Sequence, residues 1–335
     1  MKVAILHERL PPEARPDELD VLVQAKAVAE ALTRLGHQPV FADFSLDLAG
    51  VMESLRDLHP DLVFNLVESA GGQGRLVYLA PATLDALGLP YTGARTEAMF
   101  LTSNKLVTKR ILQLHHLPTP SWFCSRMAGD NGRPVNGRYI IKSVWEEASV
   151  GLDESSVVRA GDLRALQEEI HRRTDALGGE AFAEAFIDGR EFNLSLLSDA
   201  DGPQVLPPAE TRFVDYGPDK PKIVGYRAKW EEESFEYRHT LRRFDFADSD
   251  RPLLSELTSL ARLCWQALGL DGYARVDFRV DQTDRPWVLE VNANPCLSPD
   301  AGFMAAAERA GLSYEDVVQR LLAHAVHGMA RSRAG

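Results

Sequence analysis

Cysteine is scarce in this chain. Cys124, Cys264 and Cys296 are the only three in 335 residues, and they lie far apart with no CxxC pair, which gives no disulfide framework and no zinc or redox motif. Long apolar runs are missing too: MKVAIL at the start carries one charge and passes straight into the polar HER, too short for a signal peptide or a membrane span. A reducing cytoplasm, with no membrane as partner, is the expectation. Positive charge is in deficit, with 37 Lys and Arg against 49 Asp and Glu for a formal net charge of −12. A sequence-independent grip on nucleic acid needs a basic surface that displaces counterions, so nucleic acid is not an expected partner. Phosphate-loop signatures are also absent. Gly71-Gly72-Gln73-Gly74 lacks the following Lys-Ser/Thr of a Walker A loop and the second spaced glycines of a dinucleotide fingerprint; it reads as a turn before a helix whose amino end faces a cleft. The nine histidines show no HxxxH spacing and receive no catalytic role.

What is present is ordinary for a soluble enzyme, 45% hydrophobic and 26% charged, and the length suits two or three lobes around a shared cleft. The opening alternates strand-like runs (Val3 to Leu6, Pro39 to Phe41, Leu62 to Leu66) with helix-like stretches (Leu19 to Leu35, Leu46 to Leu58), the pattern of a parallel α/β lobe. Gly36 and Gly88 each follow a helical stretch as candidate C-caps. One helix is expected from Thr96 to His115, containing Asn104, Lys105 and Lys109, until the LPTP of Leu117 to Pro120 breaks it. Short strands follow in SWFCS, RYIIK and SSVVRA, then a helix near Asp162 to Thr174. AFAEAFI and EFNLSLL flank Asp188-Gly189 and read as a hairpin. Residues 214 to 236 read as a long covering loop. A helix over Leu253 to Leu268, strands over Ala274 to Val280 and Trp287 to Val291, and helices after Ala301 and Ser313 complete the chain.

The two last strands carry the most informative pattern. Side chains alternate along a strand, so Arg275 and Asp277 share one face, as do Glu290 and Asn292. If the strands pair, two carboxylates and an amide oxygen converge into a hard oxygen site suited to magnesium with a nucleotide. The same groups could instead form a structural ion-pair network; Asn292 and the Asn-Ala-Asn-Pro exit, whose backbone amides could meet an oxyanion, favour the site. Cys296 follows directly and is a candidate thiol nucleophile, but no base stands beside it in sequence. Lys142 closes the apolar strand Tyr139 to Ile141 and could reach phosphate as a point charge, with Lys105 and Lys229 as further candidates. Glu184 could meet a purine amino group or sit at a wet sheet edge.

In order along nearly the whole chain, Leu89-Pro90-Tyr91-Thr92-Gly93, Asn104-Lys105, Leu117-Pro118-Thr119-Pro120, Ile140-Ile141-Lys142, Gly189-Arg190-Glu191-Phe192, Ala228-Lys229-Trp230, Arg275-Val276-Asp277 and Leu289-Glu290-Val291-Asn292 resemble the D-alanine–D-alanine ligases of the ATP-grasp superfamily. The resemblance implies an α/β amino-terminal domain over residues 1–95, a central ATP-grasp lobe over 96–183 and a carboxyl-terminal ATP-grasp lobe with the metal site over 184–330. It implies Lys105, Lys142 and the Ser149 loop at the phosphates, Glu184, Phe186 and Ile187 at adenine, and Glu191 at the ribose. Lys229 would reach the terminal phosphate, and Asp277, Glu290 and Asn292 would hold two magnesium ions, with manganese as a substitute. Arg275 would stabilise the tetrahedral intermediate. The implied reaction joins a carboxylate to an amine through an acyl phosphate, with ATP, in a homodimer.

Departures from the family gather where the amino acids bind. A family histidine is missing from Asn65 to Gly72. The Gly-Ser-Ser-x-Gly loop reads Glu147-Ala148-Ser149-Val150-Gly151, and a Lys-Tyr pair reads Lys229-Trp230. Asp20 stands near a glutamate that holds an amino group, Cys296 replaces a glycine, and Asp300-Ala301 replaces a serine at the second carboxylate. An amino-acid or small-peptide ligase is therefore expected, against true D-alanine–D-alanine ligation in cell-wall synthesis or a catalytically silent ATP-binding regulator.

Overall fold

Three sheets organise the chain in the computed structural model, which describes residues 1–124, 136–145 and 148–332. The first is parallel and runs β2 (Gln38–Phe44), β1 (Lys2–Glu8), β3 (Leu62–Asn65). Parallel neighbours need crossovers, supplied by α1 (Pro16–Arg34) and α2 (Leu48–Leu58); α3 (Leu79–Leu87) follows. Pro16 starts α1 where its missing amide is not needed, and Gly36 and Gly88 take the left-handed turns after α1 and α3, with φ of 78° and 63°.

The single helix expected from Thr96 is two: α4 (Thr96–Ser103) and α5 (Lys105–Leu114). Asn104 leaves the helical backbone at φ −105° and ψ 104°, and its side chain accepts hydrogen bonds from the amides of Leu106 and Val107. Asparagine competes well as an N-cap, so it restarts the helix and sets Lys105 at the first position of α5.

The second sheet is antiparallel in the order β4 (Trp122–Phe123), β7 (Ala181–Ala185), β5 (Gly137–Ser143), β6 (Val157–Ala160), with α6 (Leu163–Arg173) packed on it. The third holds β8 (Gly189–Asp199), β9 (Gly202–Val205), β10 (Ala209–Phe213), β11 (Thr240–Arg243), β12 (Tyr273–Asp281) and β13 (Pro286–Asn292). Its order is β11-β10-β8-β12-β13, with β9 also on β8. The expected β7–β8 hairpin does not form: β7 pairs with β4 and β5, and β8 with β9, β10 and β12. Asp188-Gly189 is instead the crossing between two sheets. A Cβ on Gly189 would lie 2.0 Å from the Val280 carbonyl oxygen, so this glycine serves close backbone approach.

Residues 214 to 239 are a loop with two short helices, α7 (Tyr226–Trp230) and α8 (Phe235–His239). Then come α9 (Arg251–Ala267), α10 (Gly302–Arg309) and α11 (Tyr314–Ser332). Phe192, Leu194, Val276, Phe278 and Val288 of the third sheet share one buried core with Leu257, Ala261 and Cys264 of α9. A second core joins Leu321 and Leu322 of α11 to Val3 and Ile5 of β1, which fixes the first sheet against the third.

Candidate active site

A cavity of about 680 Å³ opens between the sheets, lined by Asp20, Lys105, Lys142, Ser149, Glu184, Phe186, Ile187, Glu191, Lys229, Arg275, Asp277, Glu290, Asn292, Cys296 and Asp300. The candidate site residues named above thus meet at one place; Glu147, at the start of the Ser149 loop, lies outside the described residues. β12 and β13 pair antiparallel with Arg275 opposite Asn292 and Asp277 opposite Glu290. The register then shifts, Phe278 pairing with Val288, so Leu289 is an extra residue and lines the cavity beside Glu290.

Asp277 is the hub. Arg275 donates to its two oxygens from Nε and Nη2 at 2.7 and 2.8 Å, and Asn193, its cross-strand neighbour on β8, donates at 2.7 Å. The Asn292 amide lies 3.3 Å from Asp277 and 3.4 Å from Glu290. Glu290 sits 3.8 Å from the Lys105 ammonium. Burial pushes the Glu290 carboxyl up, but Lys105, Lys142, Lys229 and Arg275 outweigh it and hold the group at about 2, ionised throughout the neutral range.

Glu184 is fully enclosed. One oxygen accepts from Lys142 at 2.8 Å and the other touches the ammonium of Lys109, itself buried and hydrogen-bonded to Thr119. Burial favours the neutral acid, yet the two lysines prevail and lower its pKa. The carboxylate therefore fixes Lys142 at the cavity wall. Beside it, the Phe186 ring lies 4.5 Å from the Arg138 guanidinium and 5.7 Å from that of Arg279, and Arg279 holds Glu191 at 2.7 Å.

The Ser149 loop is strained and pinned. Ala148 and Ser149 both adopt left-handed backbone, φ 54° and 62°, which costs non-glycine residues about 1–3 kcal/mol each. The geometry is held from outside: Trp230 donates its indole N–H to the Ala148 carbonyl at 3.1 Å, Ser149 donates to Val224 at 2.9 Å, and Tyr226 reaches across to Asp17 at 2.8 Å. Trp230, where the family pattern has tyrosine, keeps a hydrogen bond here by donating.

At the opposite end, Asp20 accepts from the Cys296 thiol at 3.0 Å, the Ser298 hydroxyl at 2.7 Å and the Gln24 amide at 3.3 Å. Burial, Glu68 and Asp20 all push the Cys296 thiol well above its ordinary pKa. A protonated thiol that donates to a carboxylate is a poor nucleophile.

Residues 120–323 match the family model described as D-ala D-ala ligase C-terminus, which is more than half of the chain. The chain belongs to the D-alanine–D-alanine ligase family. It is 31% identical to a D-alanine–D-alanine ligase of Synechococcus, covering 91% of this chain and 88% of that protein. It is 30% identical to the one of Gluconobacter oxydans, covering 97% and 99%. The D-alanine–D-alanine ligase of Bacillus anthracis complexed with ATP superposes with a TM-score of 0.75 over 99% of both chains at 17% identity, a likeness of fold. This D-alanine–D-alanine ligase family member is an ATP-dependent carbon–nitrogen ligase with the ATP-grasp fold. Among the described residues, no helix is long and apolar enough to cross a membrane.

Several residues in or behind the cavity wall escape a reading of motifs. Lys109 is an ordinary helical lysine in sequence, and only the three-dimensional contact with Glu184, behind the wall, gives it a role. Asn193, Arg279, Ser298 and Arg242 line the cavity itself. Alternation along β8 and β12 could have found the first two, since Asn193 is two residues from Glu191, and Arg279 two from Asp277.

Proposed function

We propose that this ligase activates the carboxylate of an amino acid or small peptide with ATP and joins it to an amine, using a substrate pair that departs from two D-alanines. The observation that carries this reading is the division of one cavity into two ends. At one end Lys105, Lys142 and Lys229 stand with Asp277, Glu290 and Asn292; at the other, Asp20 is tied to Cys296 and Ser298. The first end suits phosphate chemistry, where cations offset the repulsion between an attacking carboxylate and the γ-phosphate. The second end holds the departures from the family pattern.

The donor set fits magnesium. Asp277 and Glu290 are direct cross-strand partners with Asn292 within 3.4 Å of both, and magnesium takes one or two carboxylates with phosphate oxygens and water. A half-turn of the Asn292 amide presents its oxygen. Bound there, magnesium, or manganese in its place, would neutralise phosphate charge. Of the chain's own groups, Lys142 braced by Glu184 and Lys105 beside Glu290 bind the phosphates. Lys229 reaches the terminal phosphate from the loop, while Phe186 and Ile187 wall the base and Glu191 faces the ribose. The carboxylate oxygen attacks the γ-phosphorus, ADP leaves, and an acyl phosphate forms. The amine then attacks the carbonyl carbon, loses a proton, and expels phosphate. Arg275 and the backbone near Cys296 face the oxyanion of that second step.

The test is ATP-dependent phosphate release across D- and L-amino acids, short peptides and simple amines, singly and in pairs. A mixed pair should far exceed D-alanine alone. Equal or better turnover with D-alanine alone would return the chain to D-alanine–D-alanine ligation, and ATP binding with no turnover on any mixture would favour the silent regulator.

A further inference from the structure

Arg242 lines the cavity from β11. It lies on β11 opposite Thr211 of β10, while Arg243 lies opposite Glu210. Side chains alternate, and the two arginines part accordingly. Arg243 turns to Glu210, whose oxygens also accept from Arg190 at 2.9 and 3.1 Å. Arg242 and Thr211 face the cavity. Among the described residues, the Arg242 guanidinium makes no hydrogen bond and no close ion pair.

Its surroundings define what it lacks. The neighbouring guanidinium of Arg275 is engaged with Asp277 through two hydrogen bonds. Gly302, the first residue of α10, has no side chain, and a Cβ there would lie 3.5 Å from Arg242 Nη2, so the guanidinium rests almost against the backbone. Burial and the charge of Arg275 both disfavour the charged form of Arg242, and Asp300 opposes them only in part. This corner of the cavity is short of one anion. It is also the corner of Asp300 and of Gly302 at the start of α10.

We propose that Arg242 reads the acceptor, its guanidinium taking the carboxylate of the incoming amino acid or peptide so that an amine without an anionic group is refused. A planar fork of donors matches a carboxylate in two bonds. The inference rests on the ligase reading above and narrows its acceptor to one chemical class.

The experiment compares each amino acid of the screen with its own primary amide as acceptor, in the full-length protein with ATP and the best donor. An amide has no carboxylate to phosphorylate, so it can serve only as acceptor. The wild type should prefer acid over amide by roughly 10- to 150-fold in kcat/KM, the span of one charge-assisted contact. In R242A that ratio should collapse towards 1 while the KM for ATP stays within about twofold. R242K, which keeps the charge but not the fork, should fall between and covers the case of a poorly folded alanine variant. An unchanged acid-to-amide ratio in both variants, or a wild type indifferent to the amide, would overturn the assignment. Absence of phosphate release with every donor and acceptor would remove the ligase substrates themselves, and this inference with them.

Discussion

Replacing Glu184 with glutamine should unfold the protein at a distinctly lower temperature, by an amount that depends on pH. The carboxylate is 1% exposed and faces Lys109, also 1% exposed, and Lys142, 14% exposed. With an effective dielectric near 20, one such contact at 2.8 Å is worth about 6 kcal/mol before desolvation is subtracted. Removing one partner of a buried pair typically costs about 3–5 kcal/mol. An upper bound comes from proton loss: bringing one lysine from about 10.4 to neutral at pH 7 costs about 5 kcal/mol. A loss of about 3–5 kcal/mol lowers the melting temperature by roughly 4–7 °C in a chain of this size. Thermal melts followed by circular dichroism at pH 7 and pH 10 measure it. The deficit should narrow at pH 10, where the orphaned lysines shed their protons more easily. A second variant, Glu184→Met with Lys109→Met, should recover part of the loss, because an apolar pair replaces one buried ion pair. A Glu184→Gln melt within about 2 °C of wild type, flat in pH, would refute the reasoning.

Three other outcomes follow from the same geometry. Burial raises Glu8 to about 7 from 4.5, so the native chain holds a proton that the unfolded chain has released; stability should fall by about 3 kcal/mol as pH rises from 4.5 through 7, and Glu8→Gln should flatten that slope in urea titrations. Glu290→Gln should cut ATP-dependent turnover by about 100-fold or more while the circular dichroism spectrum is retained; an unaltered rate would remove Glu290 from the phosphate end. Cys296→Ser should keep turnover within about threefold, since the hydroxyl can also donate to Asp20. Abolished turnover with ATP still bound would restore a chemical role for the sulfur.

The order of strands and helices was legible because each carries its own period: two on β12, 3.6 on α1 and α9. The convergence of Arg275, Asp277, Glu290 and Asn292 was legible for the same reason, since alternation alone decides which face a residue occupies. What failed were decisions taken between distant segments. Asp188-Gly189 carries a local hairpin signal, but β8 finds its partner in β12, more than 70 residues onward. Asn104 is a modest helix former within a helical pattern, and the gain of capping two amides breaks the helix there. Arg242 was invisible because β11 is four residues long, too short for a period to declare itself. The role of Glu184 depends on Lys109, whose burial no spacing reveals.

The extra residue in β13 has a consequence of its own. Because Leu289 is the surplus one, an aliphatic wall and an acid stand side by side on a strand whose rhythm would otherwise send them to opposite surfaces. Excising Leu289 would restore that rhythm and leave Val288 facing the core and Glu290 facing the cavity as before. The greasy half of the pocket can thus be recut in evolution, or by design, without turning the acidic half away.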